Sequence, residues 1–453
     1  MEAIITEIAG EFIKKMVEVI VSGGKVSEIE TSALREAKKC ASELVSAYAE
    51  RVDAAIVADK SSRRASGYAV ERRGDERKLQ TLVGEVSYRR TYYKKASGGY
   101  EYLADMALGV EKRGRVSEGL SLSLVAAAKD MSYSKSSRHI TGGEISRQTV
   151  MGKVRQSSAV DNPVEGRRVV PELHIDADEA HITLCGGRKS EVPLISVYEG
   201  IEAKGKRNYC KNVFHISEYG KTADELWEQA LTEIERRYDL SGTKIYLHGD
   251  GAGWVQTGLE WIPNTVFVLD KYHKNKAIKV MTAGLAGEDR KLYDKEIRDS
   301  LAIEDLEFVD ELTRSLCSQS PERVDKIIEN AGYLKRFVSG ISICVKDPAA
   351  NNGGCTEPHV SHILSARLSS RPMAWSKRTL KQFAPVLAAG QITLKAPPAS
   401  ELPALPEPLR KAATSARRVF RSGSAGLPAP NAIGKLPISS KITETQKLLK
   451  LFA

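Results

Sequence analysis

From Val169 onward the chain alternates short apolar runs with polar turns, and the period of the runs changes along the way. The stretches "VVPELHIDADEAHITLC", "VPLISVYEG" and "NYCKNVFHIS" are rich in β-branched and apolar residues between turn signals, which predicts three strands. "TADELWEQALTEIERRY" has apolar residues three and four apart and predicts an amphipathic helix. "TKIYLHGD" and "NTVFVLD" return to strand patterning, and a helix follows from Lys271. Three strands, a helix, a strand and a further strand-helix step predict an α/β domain, a mixed sheet with helices on its faces. Residues 276 to about 340 then lose strand character. "AGEDRKLYDKEIRDSLAI", "EDLEFVDELTRSLC" and "SPERVDKIIENAGYLKRFVSG" all have helical spacing and predict an all-helical insertion.

The preceding region is patterned differently. Ile4, Ile5, Ile8, Phe12 and Met16 share one face of a first helix, and a second runs from about Glu28 to Val57; both read as packing helices. After the basic stretch "SSRRASGYAVERRGDERK", "TLVGEVSYRRTYYKK" predicts a short strand or hairpin. Its Arg89 and Arg90, among Tyr88, Tyr92 and Tyr93, suit a phosphate backbone with bases stacked on the rings, or equally a solvated edge strand. Residues 117–157 read as three short helices, with the turn "TGGE" before the last. Ser146 is the expected N-cap of that helix, with Val150 and Val154 inward and Arg147, Gln148 and Lys153 outward. This is the helix-turn-helix pattern, whose second helix enters a major groove, although plain helical hairpins share it.

The expected organisation is a helical N-terminal region (1–75), a DNA-binding region with hairpin and helix-turn-helix (76–165), and a sheet core in two parts (166–275 and 346–396). The helical insertion (276–345) interrupts the core, and a Pro-, Ala- and Lys-rich tail (397–453) reads as extended with a final short helix.

Composition narrows the classes. Among 453 residues the formal charge of +10 fits an anionic partner, though an excess of this size also occurs in proteins that bind none. Six cysteines without a Cys-x-x-Cys pair argue against a disulfide framework or zinc knuckle and for a reducing cytoplasm. Glu2, Glu7, Glu11, Lys14 and Lys15 break the apolar start, so it reads as neither signal peptide nor membrane span.

The candidate chemistry is carboxylate chemistry. Asp250 ends a strand between Gly249 and Gly251, with no base or nucleophile beside it. Asp176 and Asp178 share one face of their strand, and two acidic residues there imply a metal or a solvent-filled cleft. Carboxylates on neighbouring strands suit hard divalent cations. In "GGCTEPHVSHILSARLSSRPMAW", Thr356 reads as an N-cap and Glu357 as first-turn, with Glu357, Val360, Leu364 and Arg367 along one side; alone, Glu357 is only a favourable helix-dipole charge. Asp270 and His273 project together from a helix start, but a zinc site would need a nearby Cys or second His. His174, His181 and His248 read as core-edge or cleft residues, and Cys355 lacks the motif-level His partner of a nucleophile.

The ordered set "HIDADEAHITL", "YLHGDGAGWVQTGLEWIPNTVFVLDKYHKNK" and "GGCTEPHVSHILSARLSSRPMAW" resembles the ISLre-two family of bacterial insertion-sequence transposases and, more distantly, the Mutator-like group with a ribonuclease-H-like DDE core. The resemblance runs from "GEVSYRRTYY" to about Trp375, and its most specific part is "GDGAGWV" followed by an Asp-x-x-His signature at Asp270 and His273. It implies a ribonuclease-H-like mixed sheet with the helical insertion inside it. It also implies Asp178, Asp250 and Glu357 as the catalytic, metal-holding carboxylates, with Asp176 as a rival to Asp178 and with Asp270 and His273 in support.

Intervals of 72 and 107 residues separate the three carboxylates, and the second leaves room for the insertion. The implied cofactor is Mg2+, with Mn2+ as a substitute. The implied partners are double-stranded DNA, at terminal inverted repeats and target sites, and further copies of the chain, at least a dimer on DNA. Arg147, Gln148 and Lys153 would read the repeat, Arg89 and Arg90 would contact phosphates, and no membrane is involved. The alternatives are a nuclease that cuts without joining and a catalytically silent DNA-binding descendant.

Overall fold

The structure is a computed structural model that describes residues 2–160, 166–205, 207–394, 406–411 and 413–414. The final helix expected in the tail lies outside the described residues. The chain divides into two compact units, one formed mainly by Met1–Leu124 with Ile140–Glu144, the other by Val125–His139 with Ile145–Lys395. No helix among the described residues is long and apolar enough to cross a membrane.

In the first unit, α1 (Glu2–Ser22) packs on α2 (Val26–Ala58), close to the bounds the apolar spacing predicts. The hairpin is much longer than expected: β1 (Tyr68–Thr81) pairs antiparallel with β2 (Gly84–Lys95). β1 contains the stretch read as merely basic. Its charged side chains point largely to solvent, and register shifts around Gly74, at φ +80°, break the alternation that would have marked a strand. Val52, Ile56, Tyr68, Tyr93 and Leu103 form the unit's core. Arg89 is exposed as expected. Arg90 corrects the expectation: it is 7% exposed, ion-paired to Asp105, and its guanidinium carbon sits 3.5 Å from the Tyr102 ring centroid, so the side chain is turned into the unit and away from solvent.

The three short helices form where predicted, at α3 (Glu118–Asp130), α4 (Tyr133–Thr141) and α5 (Arg147–Gln156). Gly142 and Gly143 hold positive φ in the turn before α5, and the Ser146 hydroxyl accepts from Thr149 N at 3.1 Å. Val150 and Val154 are buried, and Arg147 and Gln148 are exposed. Lys153 is buried, contrary to expectation, because a position three after Val150 and next to Val154 faces inward with them.

The second unit is built on a five-stranded sheet: β3 (Glu172–Thr183), β4 (Lys189–Tyr198), β5 (Phe214–Ile216), β6 (Lys244–Gly249) and β7 (Thr265–Leu269), in the order β5-β4-β3-β6-β7. The β3/β4 and β4/β5 pairs are antiparallel; β6 runs parallel to both β3 and β7. The third predicted strand is interrupted. Arg207–Cys210 pairs with Ile201–Lys204 in a separate hairpin, Asn212 turns at φ +52°, and only Phe214–Ile216 joins the sheet. On one face Leu173, Ile175 and Ala177 of β3 pack, with Ile245 and Leu247, against Trp227, Ala230 and Ile234 of α6 (Ala223–Arg237) and Val255 of α7 (Gly253–Trp261). The insertion follows α8 (Lys271–Met281) as α9 (Gly287–Ala302), α10 (Leu306–Gln319), α11 (Val324–Arg336) and α12 (Val338–Lys346), closing its own core around Ile278, Ile297, Leu316 and Leu334. α13 (Thr356–Val360) and α14 (Lys377–Ala388) complete the unit.

Candidate active site

The opposite face of the sheet carries His174, Asp176, Asp178 and His248 beside the apolar Leu194 and Val268. The last paired positions of the parallel strands are Ala177, Gly249 and Leu269, so Asp178, Asp250 and Asp270 follow in one row across three neighbouring strands. Asp270 N donates to Gly249 O at 2.9 Å and extends the ladder into that row. Asp178 is buried. Desolvation, aided by the charges of Glu179 and Asp250, pushes its carboxyl up to about 6 against the pull of the Glu179 amide and His273. Asp250 Oδ1 accepts from Ala252 N at 2.8 Å, which holds the turn. Gly251 is required there twice over: φ is +84°, and a Cβ would lie 2.2 Å from the Phe337 ring. From α11, the Tyr333 hydroxyl donates to Asp250 O at 2.7 Å.

Asp270 caps α8, accepting from Tyr272 N at 2.8 Å, and its Oδ2 lies 3.5 Å from His273 Nδ1. Burial would raise the Asp270 carboxyl, but the ion pair with His273 and the bond from Tyr272 N prevail and hold it low. The same ion pair, with the charges of Asp178 and Asp250, raises His273 above the usual imidazole range.

Asp176 shares the face but serves another network. It accepts from the Tyr198 hydroxyl at 2.9 and 3.0 Å, from Cys355 N at 3.1 Å and from His359 Nδ1 at 3.1 Å, which engages both oxygens. His174 stacks between Tyr198 and Tyr246, and His174 Nδ1 lies 3.1 Å from His248 Nε2. Burial drives the His248 imidazole down to about 4, so this pair is neutral core. His181 is exposed, in a group with Glu179 and Glu191 whose ligand atoms lie within 4.8 Å of one another.

Thr356 is the first residue of α13 and not its cap; the cap position is Cys355, which makes no side-chain capping bond. The buried Thr356 hydroxyl lies against the Asp270 carboxylate, so α13 begins beside the acidic row. Glu357 follows and is exposed, whereas Val360, Leu364 and Arg367 are buried. The expected single stripe therefore holds for Val360, Leu364 and Arg367, across a π-helical turn at Ser361–Ser365, and fails at Glu357. The structure thus sets Asp178, Asp250, Asp270 and His273 beside one another, whereas Glu357 is exposed and is linked to them only through its neighbour Thr356.

UPF0236, an uncharacterised protein family, matches residues 20–394. The chain belongs to UPF0236. The match begins well before the hairpin where the family likeness was expected to fade in. A UPF0236 protein of Caldanaerobacter subterraneus subsp. tengcongensis is 35% identical over 387 residues, covering 84% of this chain and 80% of its own. Another from the same organism is 35% identical over 394 residues, with 84% and 82% covered, and its name joins eleven loci of that genome. A UPF0236 protein of Streptococcus gallolyticus, named for a position in a vanSb 3′ region, is 24% identical over 380 residues, covering 80% of this chain and 82% of its own.

The acidic row of this UPF0236 chain offers the donor type that hard divalent cations prefer. Its donors are carboxylate oxygens, and Asp178 is held in a setting that disfavours its own charge, which a cation would relieve. Spacing along the sequence did not reveal that Asp270 is in register with Asp250; only the pairing of β6 with β7 does. Nor did it reveal the contact of Cys210 with His359, whose Sγ and Nε2 lie 3.6 Å apart.

Proposed function

We propose that the protein is the DDE transposase of an insertion sequence, binding the ends of its element and catalysing metal-dependent DNA strand cleavage and strand transfer. The observation that carries this reading is the pair Asp178 and Asp250 in one row across adjacent parallel strands, Asp178 within β3 and Asp250 just past the end of β6. The sheet order β5-β4-β3-β6-β7, with β3 antiparallel to β4 and parallel to β6, supports the proposal of a ribonuclease-H-like core. A relative encoded at eleven loci of one genome suits a mobile element.

In this reading Asp178 and Asp250 hold Mg2+, or Mn2+ in its place, and Glu357 is the third carboxylate, reached from the start of α13. When bound, the cation supplies the activation of water and of a 3′ hydroxyl, and stabilises the leaving oxygen. The protein's own contribution is positioning. Asp270 orients His273, whose charge offsets part of the acidic row, and Trp254 Nε1 donates to Glu179 at 2.7 Å and holds that neighbouring carboxylate. Arg147 and Gln148, exposed at the start of α5, are the residues proposed to read the terminal inverted repeat, and Arg89 to contact phosphate. Buried Arg90 and Lys153 have no part in that surface. Strand transfer needs two DNA ends together, hence at least a dimer on DNA.

The test is incubation of the purified protein with labelled DNA from the flanks of its own gene, with Mg2+ or Mn2+, beside Asp250→Asn. Metal-dependent 3′ ends that join a second DNA, and fall to background in the variant while DNA binding persists, are expected. Equal cutting by the variant, or specific binding without cutting in either protein, would overturn the reading.

A further inference from the structure

Within the first unit, α1 and the opening half of α2 have no core of their own. None of the α1 side chains from Ala3 to Ser22 is buried, and α2 is buried only at Ala49, Val52, Asp53 and Ile56, towards its C-terminal end. β2 reaches α2 at Ser42, whose hydroxyl donates to Glu85 O at 2.6 Å, and at Ala49, which packs with Val86 and Tyr88. Upstream of those contacts the two helices pack on each other. Helices draw most of their stability from packing an apolar face, and one half-buried seam supplies little of it.

α1 carries two seams in different heptad phases. Ile5, Ile8, Phe12, Met16 and Val19 are half-buried in the seam with α2. Gly10, Ile13, Val17 and Ile20 recur three and four residues apart on the neighbouring side, with Ile13 and Ile20 43% and 47% exposed. At about 100° per residue, the apolar arc from Ile8 round to Val21 spans about 220°, where a single partner needs little more than about 100°. α2 repeats the arrangement. Beside the half-buried Ile29, Ala33, Cys40 and Leu44 runs a second stripe of Leu34, Ala37, Ala41 and Val45, with Leu34 59% exposed. Residues 23–25 join the helices in a tight turn, which makes them antiparallel. Both second stripes are displaced in the same rotational sense from the shared seam, so they lie on one face of the pair.

We propose that a second copy of the chain docks on this face, two α1–α2 pairs closing into an antiparallel four-helix bundle with α1 of each copy against α2 of the other. The face is large enough. At 1.5 Å per residue α1 is about 31 Å long, and two helices each about 10 Å wide present about 600 Å² per copy, or about 1,200 Å² for the pair, the lower bound of stable interfaces. Its relief is self-complementary. The turn sets Gly10 level with the stretch from Ala37 to Ala41, and a two-fold axis parallel to the helices keeps that level across the interface, small residues against small. Outside its own helix no atom lies within 4 Å of where a Gly10 Cβ would stand, so nothing in the single chain calls for a residue that weakens the helix; a second helix crossing close above it does. Charge agrees with the same placement. It brings exposed Glu7, on the rim of the α1 stripe, against the partner's Lys38 on the rim of the α2 stripe, once at each side of the bundle. This dimer forms without DNA and does not rest on the transposase reading; under that reading it holds two chains, and so two DNA ends, together before cleavage.

Sedimentation equilibrium of the full-length protein, free of DNA and at micromolar concentration, should give twice the chain mass of 49.6 kDa. Gly10→Met, whose side chain has open space in the single chain, should raise the dimer dissociation constant about tenfold or more, with the near-ultraviolet dichroism of the folded chain retained. Glu7→Lys should weaken the dimer about fivefold through two like-charge pairs, and Glu7→Lys combined with Lys38→Glu should recover it. A monomer at every concentration, which is also the result if residues 397–453 or another protein cover the face, would overturn the proposal. So would a dimer indifferent to Gly10→Met, or no recovery in the double variant. None of these readouts uses DNA or a metal, so their failure is distinct from failure of the transposase reading, which Asp250→Asn tests.

Discussion

The two faces of β3 solve opposite problems with alternate residues of one strand. Leu173, Ile175 and Ala177 are fully buried against α6 and α7 and need only volume and apolar surface from their neighbours. His174, Asp176 and Asp178 are as deeply placed, yet each needs a named partner. Asp176 has all of its partners within the protein, whereas Asp178, two residues further on, has one backbone amide and an unfavourable charge environment. A fully satisfied carboxylate holds structure together; an under-satisfied one at the same depth is available for chemistry.

That contrast breaks most easily on the apolar side. Trp227 is wholly buried, its Nε1 donates to Trp254 O at 2.6 Å, and its ring lies against Gly258. Trp227→Ala should cost about 3–5 kcal/mol in chemical denaturation; a loss below about 1 kcal/mol would mean the face is not the stabilising one.

On the polar side the sign reverses. Folding raises the Asp178 carboxyl from 3.8 to about 6, so the native state binds this proton more tightly and stability declines as pH rises between those values. Asp178→Asn should therefore stabilise the metal-free protein at pH 8 by up to about 3 kcal/mol and leave it unchanged below pH 4. Added Mg2+ should narrow the gap by stabilising the unsubstituted chain. A variant less stable at pH 8 would refute the assignment.

The smallest effect sharpens the same distinction in the first unit. Arg89→Ala should leave thermal stability nearly intact and reduce the salt slope of DNA binding by about one. Arg90→Ala, which strands buried Asp105, should lower stability instead; the reverse pattern would exchange their roles.

Much of this was legible in the sequence because period and burial coincide. Four of the five sheet strands, the helical character of the insertion and the Ser146 cap follow from local patterning, whereas the break at Phe337 that divides the third helical stretch in two, and the hairpin that interrupts the third strand, do not. β1 was not legible, since a solvated, bulged strand full of Glu and Arg carries no apolar alternation. Lys153 was misread because a long polar side chain on an inward position looks outward to any rule that counts polarity alone. Asp250 stood out as an acid at a strand end and Asp178 as an acid within a strand. Asp270 in their row, and the convergence of Cys210 with His359, depend on strand pairing across long intervals, which local patterns do not encode.

The row of acids has one more consequence. Parallel strands lie about 4.8 Å apart whatever side chains they carry, so the spacing of Asp178, Asp250 and Asp270 is inherited from the backbone ladder and not from the residues around them. Such a gauge survives sequence drift. A chain that diverges widely in helices, hairpin and tail would still present the same three carboxylates at the same interval.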